Sequence, residues 1–322
     1  MRHLLLSCLL ILALVPGWSR EPPLALFRPG PGEIAVQPIL LDRNDSARTR
    51  VGAVRLLWGA RLTSSDPAFG GFSALAVTGD RFTMLSDGGG VARFRLVDGK
   101  ARDVRFADLP SGPGGNWQKR DRDSEALVID PAIGEALVAF ERSNAIWRYG
   151  RDFGRALGRT RPRAMRDWSP NSGAETMMRR ADGSVVVIAE ADFADDGSGT
   201  SGLVFAGDPT RGGAPWGFRL RPPRGWLPAD AAELPDGRIL IVLRRLRRLR
   251  FETALMLLPR GAIRPGGVAR GRVVATFAAP LVHDSFEGIA VTREAHRTIV
   301  WLVSDDNQSI VQSTLMLKLA ID

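Results

Sequence analysis

Residues 287–306 read EGIAVTREAHRTIVWLVSDD. A glutamate opens the stretch, Gly288–Val291 is apolar, Thr292–Arg297 is polar, Thr298–Val303 is apolar again, and Ser304-Asp305-Asp306 closes it. Two short apolar runs flanking a polar turn predict a β-hairpin. The same phrase occurs four times upstream. It begins at Ser73 and ends at Asp87, then runs from Glu125 to Arg142, from Glu175 to Glu190, and from Asp230 to Arg245. The opening positions 73, 125, 175, 230 and 287 are 52, 50, 55 and 57 residues apart. A hairpin repeated about every 50 residues is the pattern of β-propeller blades.

The second strand of each phrase is almost wholly apolar, as in a strand covered on both faces by neighbouring blades. Third strands such as Val91–Leu96 alternate, and no amphipathic helix of ten or more residues is visible. The fifth phrase is followed by one more strand near Thr314–Ile321, and Val54–Leu62 precedes the first phrase. The expected fold is therefore an all-β propeller of five blades, with the ring closed by pairing of the N- and C-terminal strands. It becomes six blades if the strand Ile34–Leu41 opens another.

Composition supports a folded chain: 322 residues, 44% apolar, 25% charged, with 35 glycines and 21 prolines. Arg2 and His3 precede an apolar run, Leu4–Val15, followed by Pro16, Gly17 and Ser19. This reads as a signal peptide over 1–19, cleaved after Ser19, with a leader over 20–33 and one propeller domain over 34–322. The expected mature protein is periplasmic or secreted, has no transmembrane span, and is a monomer. The one cysteine, Cys8, lies in the signal region, which excludes a disulfide framework and a cysteine zinc site. The histidines are His3, His283 and His296, too few for a multi-histidine metal centre, and there is no G-x-S-x-G elbow or phosphate loop.

The net charge is +9, and lysine occurs only at 100, 119 and 318, so the basic residues are almost all arginine. They are densest at Arg244, Arg245, Arg247, Arg248 and Arg250. Such a surface can attract anionic lipid, phosphorylated ligands or nucleic acid. The shortage of aromatics able to stack bases argues against nucleic acid, and dispersed solvated arginine accounts for most of the charge.

In each hairpin the start of the first strand lies beside the end of the second, so the polar ends meet on one rim. The expected pairs are Ser73 with Asp87, Glu125 with Glu141, Glu175 with Glu190, Asp230 with Arg244, and Glu287 with Asp305. The turns at Gly79, Gly134, Gly183, Gly237 and Ala295 fall at the other end. Three readings of the acid rim stand side by side: oxygen ligands for Ca²⁺ or another divalent cation, carboxylates raising one another's pKa for acid/base work, or structural caps neutralised by arginine. Arg142 and Arg244 on that rim suit a phosphate or carboxylate, and His283 lies just before the fifth phrase.

Four segments carry a further likeness. They are Phe69–Leu75 with Leu85-Ser-Asp87, Asp123–Leu127 with Phe140-Glu-Arg142, Ser285-Phe-Glu-Gly-Ile289, and Val303–Asn307 with Gln312-Ser-Thr314. Together they resemble the phytase-like domain family, also called esterase-like activity of phytase, over about residues 52–319. The chain departs from the family pattern at Ala126, at Ala174-Glu175-Thr176 and at Gln308. The resemblance implies an exported bacterial propeller and, by the family's name, a phosphoesterase-like activity on a small anionic or ester substrate. With the rim it sets the expected site: Glu125, Glu175 and Glu287 catalytic; Arg142, Arg244 and His283 binding substrate; Asp87, Glu141, Glu190, Asp305 and Asp306 holding a divalent cation such as Ca²⁺. The alternative is a non-catalytic propeller that binds a ligand or protein in the cell envelope.

Overall fold

The computed structural model describes residues 24–321, apart from 116, 117, 195, 196, 198, 310 and 311. The expected signal peptide, 1–19, lies outside the described residues. Every hairpin phrase forms the inner half of an antiparallel sheet, and there are five such sheets. Blade 1 is Phe72–Thr78, Arg81–Ser86, Gly90–Val97 and Lys100–Asp108. Blade 2 is Ser124–Ile129, Ala136–Phe140, Ala145–Tyr149 and Ala156–Thr160. Blade 3 is Ala174–Arg179, Val185–Phe193, Thr200–Phe205 and Trp216–Arg221, extended by Val268–Arg270 in parallel pairing. Blade 4 is Leu227–Glu233, Ile239–Arg247, Arg250–Leu258 and Arg272–Phe277. Blade 5 takes Ser285–Glu294, Arg297–Asp305 and Leu315–Ile321 from the end of the chain and Val54–Thr63 from near its start, joined by antiparallel pairing of Leu315 with Arg61 through Ile321 with Val54.

The fold follows from where the apolar residues lie. The second strands are the most buried: Val185–Ala189 and Leu240–Leu243 are each fully covered. Strands alternate their side chains, so coverage of both faces needs a blade on each side. Among the described residues the buried side chains form one apolar seam between each neighbouring pair of blades. Leu85 and Phe140 mark the seam of blades 1 and 2, and Ala139 and Val187 that of blades 2 and 3. Ile188 and Ile241 join blades 3 and 4, Val242 and Leu302 join blades 4 and 5, and Val303 and Met84 join blades 5 and 1. The result is a five-bladed propeller.

Two expectations about the N-terminal side change. Ala35–Pro38 pairs with Val54–Thr63 as the outermost strand of blade 5, so Ile34–Leu41 adds an edge to that blade and starts no sixth one. Part of the expected leader is docked as well: Gly30–Pro31 pairs with the outer strand of blade 1, and buried Phe27 stacks on Phe106 with ring centroids 4.6 Å apart. Among the described residues no helix is long and apolar enough to cross a membrane.

Candidate functional site

The inner strands carry an irregularity that the hydrophobic pattern does not show. In every blade the register slips by one residue near the start of the first strand, and the residue passed over is Ser73, Glu125, Glu175, Ala229 and Glu287 in turn. A β-bulge leaves its extra residue without a cross-strand partner and re-aims its side chain. On the second strand, the residue after the first pair beyond the bulge is Asp87, Glu141, Glu190, Arg244 and Asp305 in turn, and in blades 4 and 5 this residue is itself paired, Leu227–Arg244 and Ser285–Asp305. Two rings of equivalent positions result, and blade 4 differs in both, with alanine at the bulge and arginine on the second strand.

This corrects the expected pairing of Asp230 with Arg244. Asp230 sits one residue past the bulge and pairs with Val242. Its buried carboxylate accepts the amides of Ala231 at 2.8 Å and Ile289 at 3.0 Å, tying blade 4 to blade 5. Burial still drives its pKa well above the usual carboxylate range against those two donors.

Arg244 reaches across the mouth instead. Nη1 donates to Glu287 Oε1 at 2.6 Å, and Nη2 donates to Glu175 Oε1 and Glu190 Oε1, both at 2.9 Å. Ser285 Oγ also donates to Glu287 Oε1, at 2.8 Å. Burial opposes the guanidinium's charge, but Glu287, Glu175, Glu190 and Glu125 outweigh it and hold Arg244 charged more firmly than a free arginine. Glu175 and Glu190 remain above the usual carboxylate range because burial outweighs the help from Arg244. Both terminal nitrogens of Arg244 are therefore engaged, and its expected role as a substrate clamp gives way to one of cross-bracing three acids.

Among the described residues Arg244 makes no hydrogen bond to Asp123, Glu125 or Glu141. Ligand-capable oxygens of Asp123, Glu125 and Glu141 all lie within 4.8 Å of one another, an arrangement that can hold a metal ion. Among the described residues Glu125 accepts no hydrogen bond. Its pKa is pushed well up by burial and by the charges of Glu175, Asp123, Asp87 and Glu287. Glu141 Oε1 accepts the Gly173 amide at 3.2 Å, yet burial and the nearby Asp123 and Glu190 raise its pKa to about 7. Arg142 Nε meets Asp123 Oδ2 at 3.0 Å while 45% of its side chain stays exposed, leaving a cation at the edge of the triad. Sequence reasoning left Asp123 out of the site; its signal was the D-S-E spacing, which places it beside the bulge.

Three expected residues have local partners of their own. Asp306 uses its carboxylate on the Gly71 and Gln308 amides and the Thr314 hydroxyl, so it closes a loop and is not presented as a cation ligand. Asp305 Oδ1 accepts the Asn307 amide at 2.6 Å. His283 Nδ1 contacts the Leu281 carbonyl at 2.7 Å and lies near Asp284; no hydrogen bond or ion pair joins it to the acids among the described residues. At the other end of the ring, the turns of blades 2 to 5 line one cavity of about 880 Å³, with Gly183 and Gly237 on its wall. The acids and the turns occupy opposite mouths.

Solved structures to which the chain is similar include a glutaminyl cyclase of Myxococcus xanthus, at 12% identity, 84% of this chain, 97% of that one and a TM-score of 0.48. An α-L-arabinofuranosidase of Podospora anserina is similar at 10% identity over 90% of this chain and 97% of its own, with a TM-score of 0.45. A hydrazine synthase of Kuenenia stuttgartiensis is similar at 13% identity over 94% and 89%, with a TM-score of 0.41. No curated protein matches the sequence. The family model described as Phytase-like, esterase-like activity of phytase, matches residues 67–308, from the loop before blade 1 to the loop after the second strand of blade 5. The chain belongs to this phytase-like family.

Proposed function

We propose that this protein is an exported, cation-assisted hydrolase of phosphoester or related ester bonds, acting at its acid-lined mouth. The observation that carries the reading is the division of the acids: Arg244 braces Glu175, Glu190 and Glu287, while Asp123, Glu125 and Glu141 converge away from it, and of these three only Asp123 is ion-paired among the described residues, to Arg142 at the edge. Their donor set is all carboxylate oxygen, with no nitrogen or sulfur, which suits a hard cation such as Ca²⁺. A cation held there would supply polarisation of a phosphoryl or acyl oxygen. Arg142, exposed at the edge of the triad, would bind the anionic end of the substrate. Glu141, which gives up its proton near neutrality, would complete the carboxylate set for the cation as pH rises. Glu175 and Glu287 would act by position, fixed by Arg244 as the far wall of the mouth.

The test is a panel of phosphomonoester and carboxyl-ester substrates offered to purified protein with added Ca²⁺ or with EDTA. Turnover that needs the cation, and falls by about a hundredfold or more in Glu125→Gln, supports the proposal. Absence of turnover together with cation-dependent ligand binding, seen by calorimetry, would replace it with the binding-propeller reading. Cation affinity should also rise as pH passes upward through about 7, where Glu141 gives up its proton.

A further inference from the structure

The hairpin between the second and third strands of blade 4 projects past the acid mouth. Its pairing runs without a break from Ile239–Leu258 to Arg247–Arg250, whereas the equivalent hairpin of blade 2 ends at Phe140–Ala145. Arg244 marks the level of the acid mouth, so three residues extend beyond it before the turn. At a rise of about 3.3 Å per residue the tip stands roughly 10 Å above the mouth.

The tip has three properties that a solvated loop does not need. Leu249 is 93% exposed and Leu246 60% exposed. Arg247 and Arg250 are directly opposed across the hairpin, a like-charge pairing that is unfavourable in a sheet. The two-residue turn holds Arg248 at φ 50° and Leu249 at φ 61°, positions normally given to asparagine and glycine. Among the described residues Arg247, Arg248 and Arg250 have no carboxylate partner. By contrast the neighbouring Arg245 is paired with Glu252 at 2.5 Å and lies over the Trp226 ring. On blade 3 the second strand also runs three residues past its rim acid, from Glu190 to Phe193, and Phe193 is 46% exposed.

We infer that this hairpin is an anchor for anionic lipid surfaces, which holds the acid mouth facing the bilayer. Three unpaired arginines supply attraction to lipid phosphates, and the projecting leucines supply apolar groups to enter the interface. A nucleic acid fits the arginines but offers nothing to two exposed leucines, and the tip carries no ring on which bases stack. A convex two-residue turn is also too small to be the centre of a standard protein interface, which buries roughly 800 Å² per partner. The inference does not rest on the hydrolase reading, because none of its residues belongs to the acid cluster.

The test is co-sedimentation with phosphatidylcholine vesicles, with and without about 30% phosphatidylglycerol, wild type and variants being compared in the same processed form. Wild type should bind the anionic vesicles at least about tenfold more tightly than the neutral ones, and lose affinity as salt rises. The triple substitution Arg247→Glu, Arg248→Glu and Arg250→Glu should weaken binding by about a hundredfold. Leu249→Ser should weaken it by about tenfold with little change in salt dependence. Independently of those variants' folding, Leu249→Trp should show a blue-shifted emission when anionic vesicles are added. Equal binding by the triple variant when it is folded, an unshifted tryptophan, or tighter binding to a DNA duplex than to vesicles would each overturn the inference.

Discussion

At the scale of single residues the decisive position is 244. Four blades place an acid at this rim position and the fourth places arginine, while the bulge beneath it carries the small Ala229 in place of a glutamate. The cross-brace and the open triad both follow from that one exchange of charge. Removing a partner from a buried ion network leaves the others uncompensated, at a cost of about 3–5 kcal/mol. Arg244→Met should therefore lower the thermal midpoint sharply, and by more at pH 8 than at pH 5, since Glu175 and Glu190 can take up protons at the lower pH. An equal loss at both values, measured by differential scanning calorimetry, would count against the brace. The sign for Glu141 runs the same way. Its folded pKa of about 7 lies above the unfolded value of 4.5, so its protonated form stabilises the fold at low pH. That contribution is lost as pH rises from the unfolded value through 7.

At the scale of the element, the bulge is the device that turns an ordinary inner strand into a presenter of side chains. Residues 287 and 125 are legible in sequence as polar starts to apolar strands. Their freedom from the strand's alternation is not legible, because hydrophobic periodicity reports which residues are covered and says nothing of one unpaired residue. The same blindness misplaced the fourth phrase by one residue: Asp230 is the polar residue in view, and the bulge falls on Ala229. The residue after the bulge is buried in all five blades; it is small at Ala74, Ala126 and Gly288 and hydrogen-bonded at Asp230, whereas Thr176 keeps a buried hydroxyl with no partner among the described residues. Gly288 is tightly confined. A Cβ there would stand 2.7 Å from the Leu75 amide nitrogen and 2.8 Å from the Ala74 carbonyl carbon. Gly288→Ala should push blades 5 and 1 apart and cost about 1–3 kcal/mol, read as a lower urea midpoint. An unchanged midpoint would mean the junction is looser than its contacts indicate.

For the whole molecule, stability is distributed over apolar seams between blades, and no blade can bury its strands alone. The two seams flanking blade 5 differ in kind from the others, since their blade 5 side is assembled from both ends of the chain. Truncation after Thr314 removes Leu315, Leu317 and Leu319 from the blade 4–5 seam and exposes Val54–Thr63 as an unpaired edge. The expected product has no cooperative unfolding transition and aggregates. A soluble product with a sharp melt would show that the other four blades hold together without it.

The five hairpins, their apolar second strands and the acids at their ends were determined by sequence alone, because a strand buried on both faces must be apolar and a repeat of about 50 residues admits few architectures. Their gathering on one rim also followed from strand direction. Which acid meets which group was decided only by the tertiary structure. The brace of Arg244 to Glu175, Glu190 and Glu287 spans three blades, with partners up to 69 residues apart. The approach of Asp123 to Glu125 and Glu141 depends on a bulge and on the curvature of the ring. Charge pairing acts through distance in space, and local sequence pattern carries no information on which of several equivalent acids a single long side chain will reach.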